Sequence, residues 1–271
     1  MAAVRVTILA SGSGGNATLV QAGGTRVLVD AGVGPEILRS RMQAVLGRAV
    51  GVDAIVTTHA HGDHVGKLIP CAKSFGARVY LTAATQRRLG PLDGVTTVVY
   101  SPSVPFDIGA IRIEPMPVPH DAPQVALVFA HRFARAGLVT DLGHVPPRLA
   151  EHLDGCQLVM LESNHDLGLL EAGPYPPFLK RRVASKLGHL SNEQAAELIR
   201  KLGPDVDEIV LMHLSQKNNL PRLALSRARA ALDGRPVRLR TADQDAPLDL
   251  EVRWSTTVKR RVHEAQLALP L

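Results

Sequence analysis

The stretch Thr57-Thr58-His59-Ala60-His61-Gly62-Asp63-His64 constrains this chain more than any other. Three imidazoles and a carboxylate stand within a few positions, directly after the apolar run Ala54-Ile55-Val56, which reads as a buried strand. In extended backbone, side chains two apart point the same way, so His59 and His61 can converge on one point. Gly62 then lets the chain bend, which would aim Asp63 and His64 at a second point nearby. Neutral imidazole is the commonest metal-binding side chain, and carboxylate suits a harder cation beside it. The bland alternative is a polar loop with histidines at random, and the spacing H-x-H-x-D-H behind a strand speaks against it.

A chain of 271 residues can bury a large core as one α/β domain or two intimate halves. Charged residues make up 21% and apolar residues 45%, ordinary values for a globular protein in water. Aromatic content is only 3%, which argues against a row of exposed rings stacking on single-stranded nucleic acid. The formal charge of +6 favours a polyanionic partner and equally suits a merely solvated surface. Cys71 and Cys156 lie far apart and form no C-x-x-C pair, as expected of reduced thiols in the cytoplasm. No run is long enough to span a bilayer, and residues 4–9 are too short and interrupted for a signal-peptide core.

Taken in order, the chain opens with strands over 4–10, 17–21 and 26–29, a meander and not a βαβ unit. The loop Ser11-Gly12-Ser13-Gly14-Gly15-Asn16 between the first two does not match G-x-G-x-x-G, and a strand follows where a helix should. It reads as a hairpin loop in unusual backbone conformation, from which Asn16 could line a site. Helical spacing follows over 35–46, 67–75 and 82–89, with strands over 78–81, 95–100 and 110–115. Pro115, Pro117 and Pro119 lead into His120-Asp121. Strands are then expected over 125–129, 136–140, 157–161 and 209–212, and closing strands over 237–239 and 248–252. Ser191 and Gln194 have the form of a capping box on a helix reaching Leu202, and a last clear helix covers 223–232. This order suggests two sheets packed face to face with helices outside. We expect one domain over 1–271, in two sequence halves of roughly 1–110 and 111–254, with a basic tail over 255–271.

Apolar strands repeatedly end at an ionisable residue: His59, Asp141, Glu162 and His213, while the proline-rich segment delivers His120. Open α/β architectures bind ligands beyond the carboxyl ends of their strands, so these groups can share one cleft. His59, His61 and His120 could hold one metal, Asp63, His64 and His213 another, and the two oxygens of Asp141 could bridge them. Two divalent ions about 4 Å apart clamp an attacking and a leaving oxygen. Leaving so many polar groups unpaired in a core would be very costly, so metal is the economical explanation.

Residues 58–64, with Leu28-Val29-Asp30-Ala31-Gly32 upstream, resemble the metallo-β-lactamase superfamily over most of the chain. The resemblance implies a four-layer αββα sandwich of two mixed β-sheets flanked by helices, with a dinuclear site between the halves. It implies His59, His61, Asp63, His64, His120, Asp141 and His213 as metal ligands and Asp30 as support for their loop. Gly12 to Asn16, Thr140 to Gly143, Glu162 to Asp166, Gly188 to Asn192 and His213 to Ser215 resemble the YycJ/WalJ-type branch. That branch is regarded as phosphodiesterase-like, with proposed 5′→3′ exonuclease activity on DNA, and is similar to the tRNA 3′-processing endonucleases. In those, a histidine paired with a glutamate assists cleavage, and His189 and Glu162 occupy the matching positions. Asp141 stands where many true β-lactamases have cysteine, and His120 lies in Val-Pro-His-Asp-Ala-Pro, unlike the thioester-cleaving relatives.

The expected function is therefore a phosphodiesterase or nuclease that needs two divalent ions (zinc, manganese or iron) and attacks with a bridging hydroxide. Asp63 would orient that hydroxide, and His189, held by Glu162, would protonate the leaving oxygen. The alternatives are a hydrolase of a small phosphodiester or thioester, and a non-catalytic metal-stabilised binding module. The expected partner is a nucleic acid or small phosphodiester. Lys180, Arg181, Arg182 and Lys186 could track a phosphate backbone or simply form a solvated helix face. His165 is a weaker site candidate, and His131, His144, His152 and His263 read as surface or structural.

Overall fold

Side chains in a strand alternate between faces, and here each face has its own core. In β3 (Thr25–Val29), Val27 and Val29 enter one apolar cluster while Leu28 enters another. The computed structural model, which describes residues 4–252, repeats this division through two seven-stranded sheets. The first sheet holds β1 (Val4–Ala10), β2 (Ala17–Ala22), β3, β4 (Ala54–Val56), β5 (Arg78–Thr82) and β6 (Thr97–Tyr100). The second holds β7 (Phe106–Ile108), β8 (Ile111–Val118), β9 (Gln124–His131), β10 (Ala134–Val139), β11 (Leu158–Glu162), β12 (Glu208–Met212) and β13 (Arg238–Thr241). The last strand, β14 (Leu248–Val252), returns to the first sheet beside β1, giving the orders β14-β1-β2-β3-β4-β5-β6 and β13-β12-β11-β10-β9-β8-β7. Each sheet is antiparallel on one side and parallel on the other, from β3 to β6 and from β10 to β13.

The helices are α1 (Pro35–Leu46), α2 (Gly62–Val65), α3 (Leu68–Phe75), α4 (Ala83–Leu89), α5 (Leu149–His152), α6 (Leu167–Ala172), α7 (Pro177–Val183), α8 (Asn192–Lys201) and α9 (Pro221–Leu232). Leu38 and Met42 of α1 and Leu68 and Cys71 of α3 cover the outer face of the first sheet. Ala195, Leu198 and Ile199 of α8 and Ala224 and Ala228 of α9 cover that of the second. Between the sheets, Val6, Ile8 and Val56 meet Ile113, Leu127, Phe129 and Met160. A fully buried side chain of this size contributes roughly 1.5–3 kcal/mol relative to exposure. The result is the expected four-layer αββα sandwich. The predicted capping box forms, with Ser191 Oγ accepting from Gln194 N and Gln194 Oε1 accepting from Ser191 N.

Several elements depart from the sequence reading. Residues 62–65 form the single-turn helix α2 and not a bend, so Asp63 and His64 rise from a helical turn. Strand β8 runs on through Pro115 and Pro117 to Val118. Its partner β7 pairs only with 111–113, so beyond that point β8 is an edge on one side, where proline's missing N–H costs nothing. Strand β7 belongs to the second sheet, and β14 crosses back to the first. The basic tail over 255–271 and His263 lie outside the described residues. Cys71 and Cys156 are buried and free, as expected. No helix among the described residues is long and apolar enough to cross a membrane.

Candidate metal centre

The parallel strands deliver their terminal residues to one rim, and the backbone turns sharply there. Asp30 after β3, Asp141 after β10 and His213 after β12 take φ of 60°, 52° and 55°. Non-glycine residues avoid this left-handed region, and such conformations cluster where surrounding structure holds a functional side chain in place. Each of the three is held by its neighbours: Asp30 Oδ1 and Oδ2 accept from Thr58 N and Oγ1, both at 2.8 Å. Asp141 Oδ2 accepts from Thr140 Oγ1 at 2.9 Å, and His213 N donates to Ser11 Oγ at 2.8 Å.

The seven expected ligands are brought together at this rim. His59, His61 and His120 form one set whose ligand atoms lie within 4.8 Å of one another, and Asp63, His64 and His213 form a second. Asp141 joins His59 and His64 in a third such set and sits with His213, His189 and Glu162 in a fourth, so it stands between the first two. The rings are close: His61 Nδ1 is 3.2 Å from His120 Nε2, and His64 Nε2 is 2.8 Å from Asp141 Oδ2.

The other nitrogen of each ring is occupied by the protein. His64 Nδ1 lies 2.7 Å from Asp30 Oδ2, His120 Nδ1 3.0 Å from Gly188 O, and His213 Nδ1 2.9 Å from Glu162 Oε1. His59 Nδ1 lies 3.1 Å from Thr58 Oγ1, and His61 Nε2 3.0 Å from Asp121 Oδ1. Metal-binding histidines are fixed in this manner, with the second nitrogen on a carboxylate, carbonyl or hydroxyl. By contrast, Nε2 of His59 is buried without a hydrogen-bond partner among the described residues, and Nε2 of His213 has only a long contact of 3.5 Å to Asp63 Oδ2. An unpaired buried polar atom is costly, and a cation at each of these nitrogens would remove that cost. The donor set of imidazole and carboxylate therefore fits a pair of divalent metal ions.

Charge balance follows from the same contacts. Burial, reinforced by the neighbouring His64, His61 and His120, holds the His59 imidazole well below its ordinary pKa and so neutral. Burial alone would raise Asp141 and Glu162, but the surrounding imidazoles outweigh it and keep both ionised, Glu162 down at about 2. His189 is raised, because Glu162 and Asp141 outweigh the effect of its burial.

Beyond the ligands, Glu162 is fully buried and shared. Its Oε1 accepts from His189 Nδ1 at 2.8 Å as well as from His213, and its Oε2 accepts from Leu142 N and Leu190 N. The sequence reading paired Glu162 with His189 alone. Asn16, offered only as a residue that could line a site, is buried with Nδ2 3.0 Å from His64 Nε2. Asp121 was missed: its carboxylate reaches His61 on one side and accepts from Arg182 Nη2 at 2.7 Å on the other. Its place next to His120 was the available signal. His165 stays out of the cluster, its backbone paired with Ser191 and its carbonyl accepting from Asn192 N. His131, His144 and His152 each bond a backbone carbonyl and belong to none of the four donor sets. The cluster opens into a cleft of about 320 Å³, where His61, Asp63, Asp141, His189 and His213 face Tyr175, Leu179 and Arg182.

Two mixed sheets with such a cluster on their shared rim define a metal-dependent hydrolase of the beta-lactamase superfamily, and the chain belongs to that family. Residues 25–214 match its description, "Beta-lactamase superfamily domain". Among relatives, the chain is 36% identical over 231 residues to exodeoxyribonuclease WalJ of Streptococcus pneumoniae serotype 2, covering 81% of this chain and 85% of that protein. It is 32% identical over 224 residues to exodeoxyribonuclease YycJ of Bacillus anthracis, covering 80% and 85%. The metallo-β-lactamase-fold protein YhfI of Bacillus subtilis shares the fold at TM-score 0.70 and 17% identity, covering 91% of this chain and 99% of that one.

Proposed function

We propose that this chain is a two-metal phosphodiesterase that acts as an exonuclease on DNA. The observation that carries the reading is the pair of three-residue donor sets with Asp141 standing between them, open to a cleft that also holds His189. His59, His61 and His120 would hold one ion, Asp63, His64 and His213 the other, with Asp141 serving both. Such a pair supplies Lewis-acid stabilisation of charge developing on a phosphoryl group and the means to ionise water near neutral pH. Zinc, manganese and iron all suit the mixed donors.

The chain's own residues then bind, orient and move protons. Asp63 is partly exposed to the cleft, where its carboxylate would orient the attacking water. Glu162 accepts a hydrogen bond from His189 Nδ1 and raises the ring above its ordinary pKa, which favours the protonated form that would pass a proton to the departing oxygen. Similarity to WalJ and YycJ supports DNA as the substrate class. Buried, unpaired thiols support a cytoplasmic setting.

The test is turnover by metal-reconstituted protein on end-labelled DNA, RNA and a small phosphodiester, for wild type and Asp63→Ala. Release of mononucleotides from DNA by wild type and its loss in the variant are expected. Full activity in Asp63→Ala would overturn the assignment.

A further inference from the structure

Helix α7 forms one wall of the cleft through Leu179, Arg182 and Val183, yet it also projects an aromatic ring into solvent. Phe178 is 66% exposed, in a chain with only five phenylalanines. Phe178 and Arg182 are four apart on one helix, so their side chains stand a turn from each other on the flank beside the cleft. Residues 177–187 carry Lys180, Arg181, Arg182 and Lys186 and no acidic residue. Lys180 Nζ is committed to Glu171 O and Arg182 to Asp121. Arg181 and Lys186 are exposed, and their side chains have no partner among the described residues.

An exposed ring flanked by cations without acids suits one kind of occupant, a polyanion with flat aromatic groups. The cleft volume lies at the low end of ligand pockets, roughly 300–1,000 Å³, room for about one nucleotide unit beside the donor cluster. We propose that α7 is a guiding arm for a single strand of nucleic acid. Phe178 stacks on an unpaired base near the end being processed, and Arg181 and Lys186 take the adjoining phosphates, steering the strand into the cleft. One ring serves one base, so the arm needs no row of aromatics, consistent with the low aromatic content. The proposal rests on the nuclease reading above and adds the strandedness of the substrate where it enters.

The experiment compares kcat/KM for a single-stranded oligonucleotide with kcat/KM for bis(p-nitrophenyl) phosphate, on reconstituted wild type, Phe178→Ala, Phe178→Trp and the double variant Arg181→Ala/Lys186→Ala. Losing one base–aromatic stack lowers the oligonucleotide-to-diester ratio about tenfold in Phe178→Ala, while Phe178→Trp keeps it. In the double variant the slope of log kcat/KM against log salt flattens by roughly 0.7 for each lost phosphate contact. An unchanged ratio in Phe178→Ala, with wild type active on DNA, overturns the arm and leaves the nuclease reading standing. A wild type that turns over the diester but no nucleic acid overturns both.

Discussion

His213 Nδ1 lies 2.9 Å from Oε1 of Glu162, and the same oxygen takes His189 Nδ1 at 2.8 Å. One buried carboxylate thus orients a metal-set histidine and the proposed proton donor together. Glu162→Ala should weaken retention of the ion at Asp63, His64 and His213 by about 10–100-fold, the usual cost of losing such a partner. At saturating metal its turnover should still fall by about 100-fold or more, because His189 loses its orientation. Metal competition with a chromogenic chelator and kcat measured separately would read the two effects. Unaltered affinity and kcat would remove Glu162 from the site.

Asp121 offers a similar test on the other metal. Its carboxylate reaches His61 Nε2 at 3.0 Å and is braced by Arg182. Asp121→Ala should cost about 10–100-fold in affinity at the His59, His61 and His120 site, and Asp121→Asn should recover part of it. Metal titration of the chelated protein should show one strong and one weakened equivalent in the alanine variant. Two equivalents as tight as in wild type would contradict this role.

Gly32 is pinned by space and not by chemistry. A Cβ there would collide with the Asp63 carbonyl and crowd Asn16 N, both backbone atoms that cannot swing aside. Gly32→Ala should therefore displace α2 and with it Asp63 and His64, reducing bound metal below two equivalents. Elemental analysis of the purified variant reads this directly, and a fully loaded, fully active Gly32→Ala protein would show that the contact yields.

For protein stripped by chelator, the site itself predicts a pH dependence. Burial alone would lower His213, but Asp141, Asp63 and Glu162 outweigh it and raise the ring to about 10. A raised folded-state pKa stabilises fully below the unfolded value of about 6.5 and loses that contribution as pH climbs through the folded value. The Tm of chelated wild type should therefore fall between pH 6.5 and 10 by more than that of chelated His213→Gln. Calorimetry at several pH values checks it, and equal slopes for both proteins would refute it.

Much of this was legible because short-range patterns carried it. The run of residues 59–64 declared by its spacing a cluster of imidazole and carboxylate, Ser191 and Gln194 declared a helix start, and the apolar strands showed by their ends where the rim would form. What stayed hidden depends on contacts between distant segments. Asn16 reaches His64 only because the Gly12–Asn16 hairpin loop packs against Gly32, and nothing local says so. Asp121 reads as an ordinary turn residue until α7 brings Arg182 to it. Strand β14 alternates like any closing strand, and no residue in it tells which sheet it will join.

That last pairing has a consequence for how the molecule is made. Val4 through Ile8 pair with Val252 through Leu248, so β1 leaves the ribosome long before the strand that covers its outer edge. Pairings so remote in sequence slow acquisition of the native state, and an uncovered β1 is a ready template for another nascent copy.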